Sequence, residues 1–215
     1  MNTMKEFSAK YGVHFTERHT GKMDGMASLS TSAIENPICR ARAKVPGSIC
    51  KECFATAMFK RYSDSFSDCF RKNTEVLTST IIPIEEWPIV NYAYFRLESF
   101  GDLQAVKQVV NYFNFAKANK RTVFVLWTKN PEFIRKAIEA GNKKPKNLII
   151  IQSSCFINKT DEAAGDFIDK IFTVYDKETI KENNVAINCG ARNCLKCRRC
   201  YTKKAGIEQI REQLK

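Results

Sequence analysis

The chain has 215 residues, of which 44% are hydrophobic and 27% charged. That composition excludes disordered, collagen-like and low-complexity classes, and the length suits one domain with a sizeable core. Two quantities stand out: Lys and Arg exceed Asp and Glu by 12, and there are 9 cysteines, an odd number that argues against complete disulfide pairing.

The first stretch, MNTMKEFSAKYGVHF, lacks the apolar centre of a signal peptide. No later run approaches the ~18 apolar residues of a membrane span. The expected location is therefore a reducing cytoplasm, where clustered cysteines point to metal or redox chemistry. The first cluster comes early: Cys39, Cys50 and Cys53, spaced C-x10-C-x2-C. Three thiolates on an iron–sulfur cluster leave one iron without a protein ligand, open to a small molecule or sulfur species.

Residues 55–77 predict a helix, because Met58, Phe59, Tyr62, Phe66, Cys69, Phe70, Val76 and Leu77 recur at intervals of three and four. Cys69 lies on that apolar face and is expected to be a small buried hydrophobe. From there the chain alternates in type. Residues 94–98 predict a strand and 103–118 a helix, with Asp102 placed to cap it. Residues 122–127 (TVFVLW) predict a buried strand. Asn130-Pro131 opens a further helix that Gly141-Asn142 closes. Strands are expected at 148–152 and 170–174, with a fifth at 184–187 leading straight into the second cysteine group. Cys155, just past the third of these strands, is expected to pack in the core or line a rim.

Strand–helix alternation implies a parallel sheet with crossover helices. The expectation is a single α/β domain over 1–215, its repeated βα units forming a partial or shortened TIM-like barrel with cysteine-rich N- and C-terminal segments. Functional residues of such sheets gather at strand C-terminal ends, where Glu98, Asp102, Thr128, Lys129, Ser153 and Ser154 fall. Arg96, within its strand, is a candidate partner for an anion or a cluster sulfide. Arg96, Asp102, Thr128 and Lys129 are the candidate catalytic residues.

The second cysteine group is Cys189, Cys194, Cys197 and Cys200, spaced C-x4-C-x2-C-x2-C. Four thiolates within twelve residues suffice for a tetrahedral ligand set. The near-contiguous spacing is that of ferredoxin-like runs and favours iron–sulfur; a Cys-only zinc site is the alternative. His14 and His19 lie far upstream and are not expected as ligands. The metal-binding segments are thus 39–53 and 189–200, holding one or two [4Fe-4S] clusters.

Four stretches together resemble the gene-product-88-like phage proteins over about residues 30–203. They are Cys39 through Val45-Pro46-Gly47-Ser48-Ile49-Cys50-Lys51-Glu52-Cys53-Phe54-Ala55; Phe95-Arg96 with Gly101-Asp102-Leu103-Gln104; Trp127-Thr128-Lys129; and Asn193-Cys194-Leu195-Lys196-Cys197-Arg198-Arg199-Cys200-Tyr201. The family pattern often has Tyr where this chain has Phe54, and His and Asp where it has Glu98-Ser99-Phe100. The resemblance implies a phage or prophage protein that binds iron–sulfur, and it supplies no reaction.

Three functions follow as expectations. The first is an iron–sulfur protein that binds or transfers a small, sulfur-containing ligand. The second is a nucleic-acid-binding module with a structural zinc or iron–sulfur site. Residues 189–215 support it, carrying eight Lys or Arg against two Glu. The third is an electron carrier. No membrane partner is expected.

Overall fold

The computed structural model describes residues 2–61 and 64–214, the side chains of residues 64–66 excepted. In chain order the elements are α1 (Met4–Tyr11), β1 (Ala27–Leu29), α2 (Pro37–Arg42), α3 (Phe54–Arg61), α4 (Asp64–Ser79), β2 (Tyr94–Leu97), α5 (Val106–Ala118), β3 (Val123–Thr128), α6 (Glu132–Glu139), β4 (Leu148–Ser153), β5 (Lys170–Tyr175), α7 (Lys177–Glu182), α8 (Cys194–Cys197) and β6 (Glu208–Gln213). Short 3₁₀ turns include Ile49–Glu52 and Arg199–Tyr201. The six strands form one sheet in the order β1-β2-β3-β4-β5-β6, every pair parallel.

A parallel sheet laid down in chain order has no reversal of strand order. Right-handed crossovers then carry their helices to the same face. The burial pattern agrees. Phe95 and Leu97 of β2, Phe124 and Leu126 of β3, and Leu148 and Ile150 of β4 join one large core with Leu77 of α4, Val109, Phe113 and Ala116 of α5, and Ile134 and Ala137 of α6. An aromatic column extends this core: Trp87 stacks between Phe7 and Phe115, with ring centroids 4.8 and 4.7 Å away. The alternate residues of the same strands point the other way. Val125, Ile149, Ile151, Phe172 and Ile210 form a second core whose cover is Met26, Tyr201, Cys189, Cys194, Leu195 and Cys200. The second cysteine group is therefore the lid on the inner face of the sheet, here the one opposite α4, α5 and α6.

Several expected elements shift. The segment expected as one helix over 55–77 is described as α3 and α4; Tyr62 lies outside the described residues, as does the side chain of Phe66. Cys69 on α4 is half-buried and, among the described residues, joins none of the apolar clusters, so it is not the buried core residue expected. Residues 184–187 are not a strand. Asn184 adopts a left-handed backbone (φ 47°) and Val185 N donates to Ile180 O at 3.1 Å, which closes α7 instead. The strand beside β5 is β6, after the cysteines, so the cysteine group sits within the β5–β6 crossover. β6 is held partly by charge: Lys170, 1% exposed, reaches Glu208 Oε2 at 2.5 Å.

Asp102 does not cap α5, which begins at Val106 behind Ala105 with no side-chain cap. The β2–α5 connection instead folds tightly against the end of β1. A Cβ on Gly101 would stand 2.4 Å from Thr31 O and 2.5 Å from Glu98 Oε2, inside any tolerable contact. Gly101→Ala is therefore expected to lower stability by about 2 kcal/mol, the scale of overpacking a closed interior, read as a lower midpoint in urea denaturation.

Candidate functional site

The C-terminal ends of β1 to β4 build a polar floor. Glu98 follows β2 in the left-handed region (φ 59°), a strained conformation for this residue type, and is 2% exposed. Its carboxylate accepts from Thr31 N and Thr31 Oγ1 at 3.1 Å, from Gln108 Nε2 at 2.7 Å, and from the Tyr112 hydroxyl. Burial raises the Glu98 carboxyl to about 7, opposed chiefly by the Tyr112 hydrogen bond. Thr31, Gln108 and Tyr112 had no chemical signature in the sequence. They matter because a buried carboxyl needs partners.

Asp102 ties β2 to β3. Its carboxylate accepts from Leu103 N at 2.7 Å, Thr128 Oγ1 at 2.5 Å and Lys129 N at 3.0 Å. The charges of Asp102 and Lys129 act on the Cys39 thiol, which burial pushes up well above the ordinary thiol range. Cys50 and Cys53 act on Cys39 too, so the first cysteine group lies near the floor at the ends of β2 and β3. Cys39 rides on α2, which Asn36 caps by accepting from Ile38 N at 2.9 Å and Cys39 N at 3.3 Å. Cys50 sits in the 3₁₀ turn, where Ser48 Oγ accepts from its N–H at 3.2 Å. Ser153 is buried within β4, and Ser154 is engaged in the fold: its Oγ lies 3.0 Å from Thr173 Oγ1 and accepts from Asp161 N at 3.0 Å.

Arg96 belongs elsewhere. It points to the inner face with Trp127, its guanidinium carbon 4.6 Å from the indole centroid, and Nη1 contacts Met23 Sδ at 3.6 Å. Its positive charge acts on Cys194, Cys200 and Tyr201. Burial nonetheless holds the Cys200 thiol up to about 12, with Arg96 pulling it down. Arg96 Nε and Trp127 Nε1 are both buried without a hydrogen-bond acceptor. Such donors face a cost unless something anionic or polar approaches.

The four thiols of the second group share one pocket of about 30 Å³ with Lys22, Arg199 and Tyr201. Asn193 caps the single turn α8 by accepting from Lys196 N at 3.1 Å. Arg198, left-handed at φ 53°, then turns the chain so that Cys200 meets the other three. The loop docks against residues 20–26: Asn193 Nδ2 donates to Asp24 O at 3.4 Å, Lys22 pairs with Glu212 at 2.6 Å, and Gly25 gives room to Leu195.

The candidate residues thus fall into two places. Asp102, Thr128 and Lys129 accompany Cys39, Cys50 and Cys53 at the strand ends. Arg96 accompanies Cys189, Cys194, Cys197 and Cys200 on the inner face. Every cysteine is a free thiol. Among the described residues, no three or more His, Cys, Asp or Glu side chains are disposed to hold a metal ion as they stand. No helix among them is long and apolar enough to cross a membrane.

The sequence profile of the family described as Gene product 88 matches residues 20–213, and the chain belongs to that family. The matched span takes in both cysteine groups and all six strands. No curated protein and no solved structure matches the chain.

Two outcomes follow from the charges. Above the ordinary carboxylate range and up to about pH 7, the folded chain keeps a proton on Glu98 that the unfolded chain has released. Its contribution to stability therefore falls as pH rises through that window. Glu98→Gln is expected to flatten that fall in thermal melts run from about pH 5 to about pH 8. Arg96→Gln, in the reduced metal-free protein, is expected to slow iodoacetamide alkylation of Cys194 and Cys200 severalfold while leaving Cys39 unchanged, as read by peptide mass spectrometry.

Proposed function

We propose that this member of the gene product 88 family is an iron–sulfur protein with two separate centres. One is held by Cys189, Cys194, Cys197 and Cys200, the other by Cys39, Cys50 and Cys53. The observation that carries the proposal is the pocket of the second cysteine group. Four thiols line one small space, and the positive charge of Arg96, whose buried Nε lacks an acceptor, acts on two of them, Cys194 and Cys200. A cluster ligated by thiolates bears net negative charge, and a cation with a spare donor beside it stabilises that charge and tunes its redox potential. Arg96 supplies both features, and the Trp127 N–H adds a second donor. Loading would require the thiols to release their protons and turn to a common centre, so affinity would rise with pH.

Once bound, a cluster supplies one-electron redox chemistry. The first centre would sit above Asp102, Thr128 and Lys129. Asp102 holds the Lys129 backbone in place, and Lys129 brings positive charge to the thiols. Three thiolates leave one metal position to be filled by a small sulfur-containing ligand or by a further side chain. Each group acts foremost on its own members: Cys50 and Cys53 are among the leading influences on Cys39, and Cys189, Cys194 and Cys197 among those on Cys200. This favours two centres over one shared. We extend the reading to the fold: consecutive βα units in chain order, with functional residues at the strand ends, are the arrangement of a partial barrel.

The nucleic-acid reading draws less support than the charge of the tail suggests. Lys170, Arg199 and Lys204 converge on Glu208, at 2.5, 2.8 and 3.1 Å, and Lys203 meets Asp169 at 3.5 Å. Three of the eight basic residues of the tail, Arg199, Lys203 and Lys204, are thus paired within the fold.

The test is anaerobic purification with iron, acid-labile sulfide and zinc analysis and a visible spectrum. Iron and sulfide in comparable amounts, with an absorption bleached by dithionite, are the expected result. Zinc without sulfide would overturn the proposal. In Cys194→Ser/Cys197→Ser, about half of the iron and sulfide should remain, as two independent centres require.

A further inference from the structure

The loop carrying Cys50 runs across the sheet to the end of β4 and pairs there. Ser48 and Phe156 form an isolated antiparallel bridge. Ile49 N donates to Cys155 O at 3.0 Å, Ser48 Oγ reaches the same carbonyl at 3.4 Å, and Ile157 N donates to Gly47 O at 3.3 Å. Gly47, at φ 73°, makes the turn that brings the loop in. These contacts stitch a cysteine 102 residues downstream of Cys53 onto the first cysteine group.

From this geometry we infer that Cys155 is the fourth protein thiolate of the first centre, so that Cys39, Cys50, Cys53 and Cys155 form a complete ligand set. The inference rests on the two-centre metal reading above. Two observations support it beyond the backbone pairing. Cys155 and Cys39 share neighbours: the charges of Cys50 and Lys129 act on both, and Arg42 adds a second cation at Cys155. The Cys155 backbone is also fixed in advance. Cys155 N donates to Asp161 Oδ2 at 3.0 Å, and Ser154 N donates to Phe172 O at 2.7 Å. One ligand at a fixed strand end and three in the segment between β1 and α3 is a sound division, because the rigid member sets where the centre forms.

The consequence is chemical. With four thiolates every metal position of the first centre is filled from the protein, so no metal site stays open to an exogenous molecule. Both centres are then closed, which suits electron transfer or structural support rather than binding of a small ligand at iron.

The experiment compares wild type, Cys155→Ala, Cys155→Ser and the control Cys69→Ala, each prepared and reconstituted anaerobically. Metal and sulfide content, visible spectrum and the paramagnetic resonance of the reduced protein are recorded. In Cys155→Ala, about half of the iron and sulfide should be lost while the signal of the C-terminal centre persists, which also shows that the variant is folded. Cys155→Ser should recover metal with an altered spectrum, since oxygen replaces sulfur at one position. Cys69→Ala should match wild type. Unchanged metal content and resonance in Cys155→Ala would overturn the inference. If wild type carries zinc without sulfide, the iron–sulfur reading fails, and Cys155 is judged by zinc alone: loss of one of two zinc ions supports it, and no loss overturns it. A wild type that takes up no metal overturns both.

Discussion

Six parallel strands in unbroken chain order impose one condition on everything else in this molecule. All right-handed crossovers pass over the same face, so α4, α5 and α6 cover that face and none of them reaches the other. Yet β3 and β4 are apolar on both sides, with Val125, Ile149 and Ile151 as buried as Phe124 and Ile150. An uncovered apolar face in water is unfavourable at about 25 cal/mol per Å². The chain meets this with the β5–β6 crossover, which doubles back as a cysteine-bearing lid held by Tyr201, Leu195 and the residues around Met26. The second cysteine group is therefore part of the fold's own solution to burial, and its pocket lies in the lid.

The same condition separates the two cysteine groups. Strand C-terminal ends in a parallel sheet all open to one edge, and the loops after β1, β2, β3 and β4 meet there. Thr31, Glu98, Asp102, Lys129 and Cys155 come from those four loops in turn. The first cysteine group sits at this edge because its loop follows β1. The second sits against the inner face because its loop lies in the crossover between β5 and β6. Charge follows the geometry: Lys129 acts on one group and Arg96 on the other.

Much of this was legible in the sequence, for identifiable reasons. Strands β2 to β5 carry dense apolar runs such as Phe124-Val125-Leu126 and Leu148-Ile149-Ile150-Ile151, which no surface segment tolerates. α5 and α6 show helical periodicity. The cysteine groups announced themselves by spacing. What escaped was set by tertiary context. β1 has three residues, too few for a pattern. β6 reads EQIREQ, with Ile210 as its one apolar residue, because an edge strand on a charged flank is held by Glu208 and by the ladder to β5. Asn184 looked like the start of a strand and instead closes a helix. Asp102 looked like a helix cap, but the tight turn at Gly101 draws it toward Thr128 and Lys129. Cys155 stood alone in the sequence because the contact that brings it to Cys50 spans the whole sheet, and no local spacing encodes it.

The docking of β6 also bears on how the chain comes into being. During synthesis from the N-terminus, β1 to β5 and their helices are complete before residues 199–213 have been made. Through that interval Val125, Trp127, Ile149 and Phe172 have no lid, and the outer edge of β5 has no partner, a combination that invites association between incomplete chains. The first cysteine group and Cys155 have by then been synthesised with the strands that carry them, whereas the lid of the second group closes only when Tyr201 and Ile210 arrive. The nascent chain thus passes through a stage with the lid face still open, and pairing of β6 ends that stage.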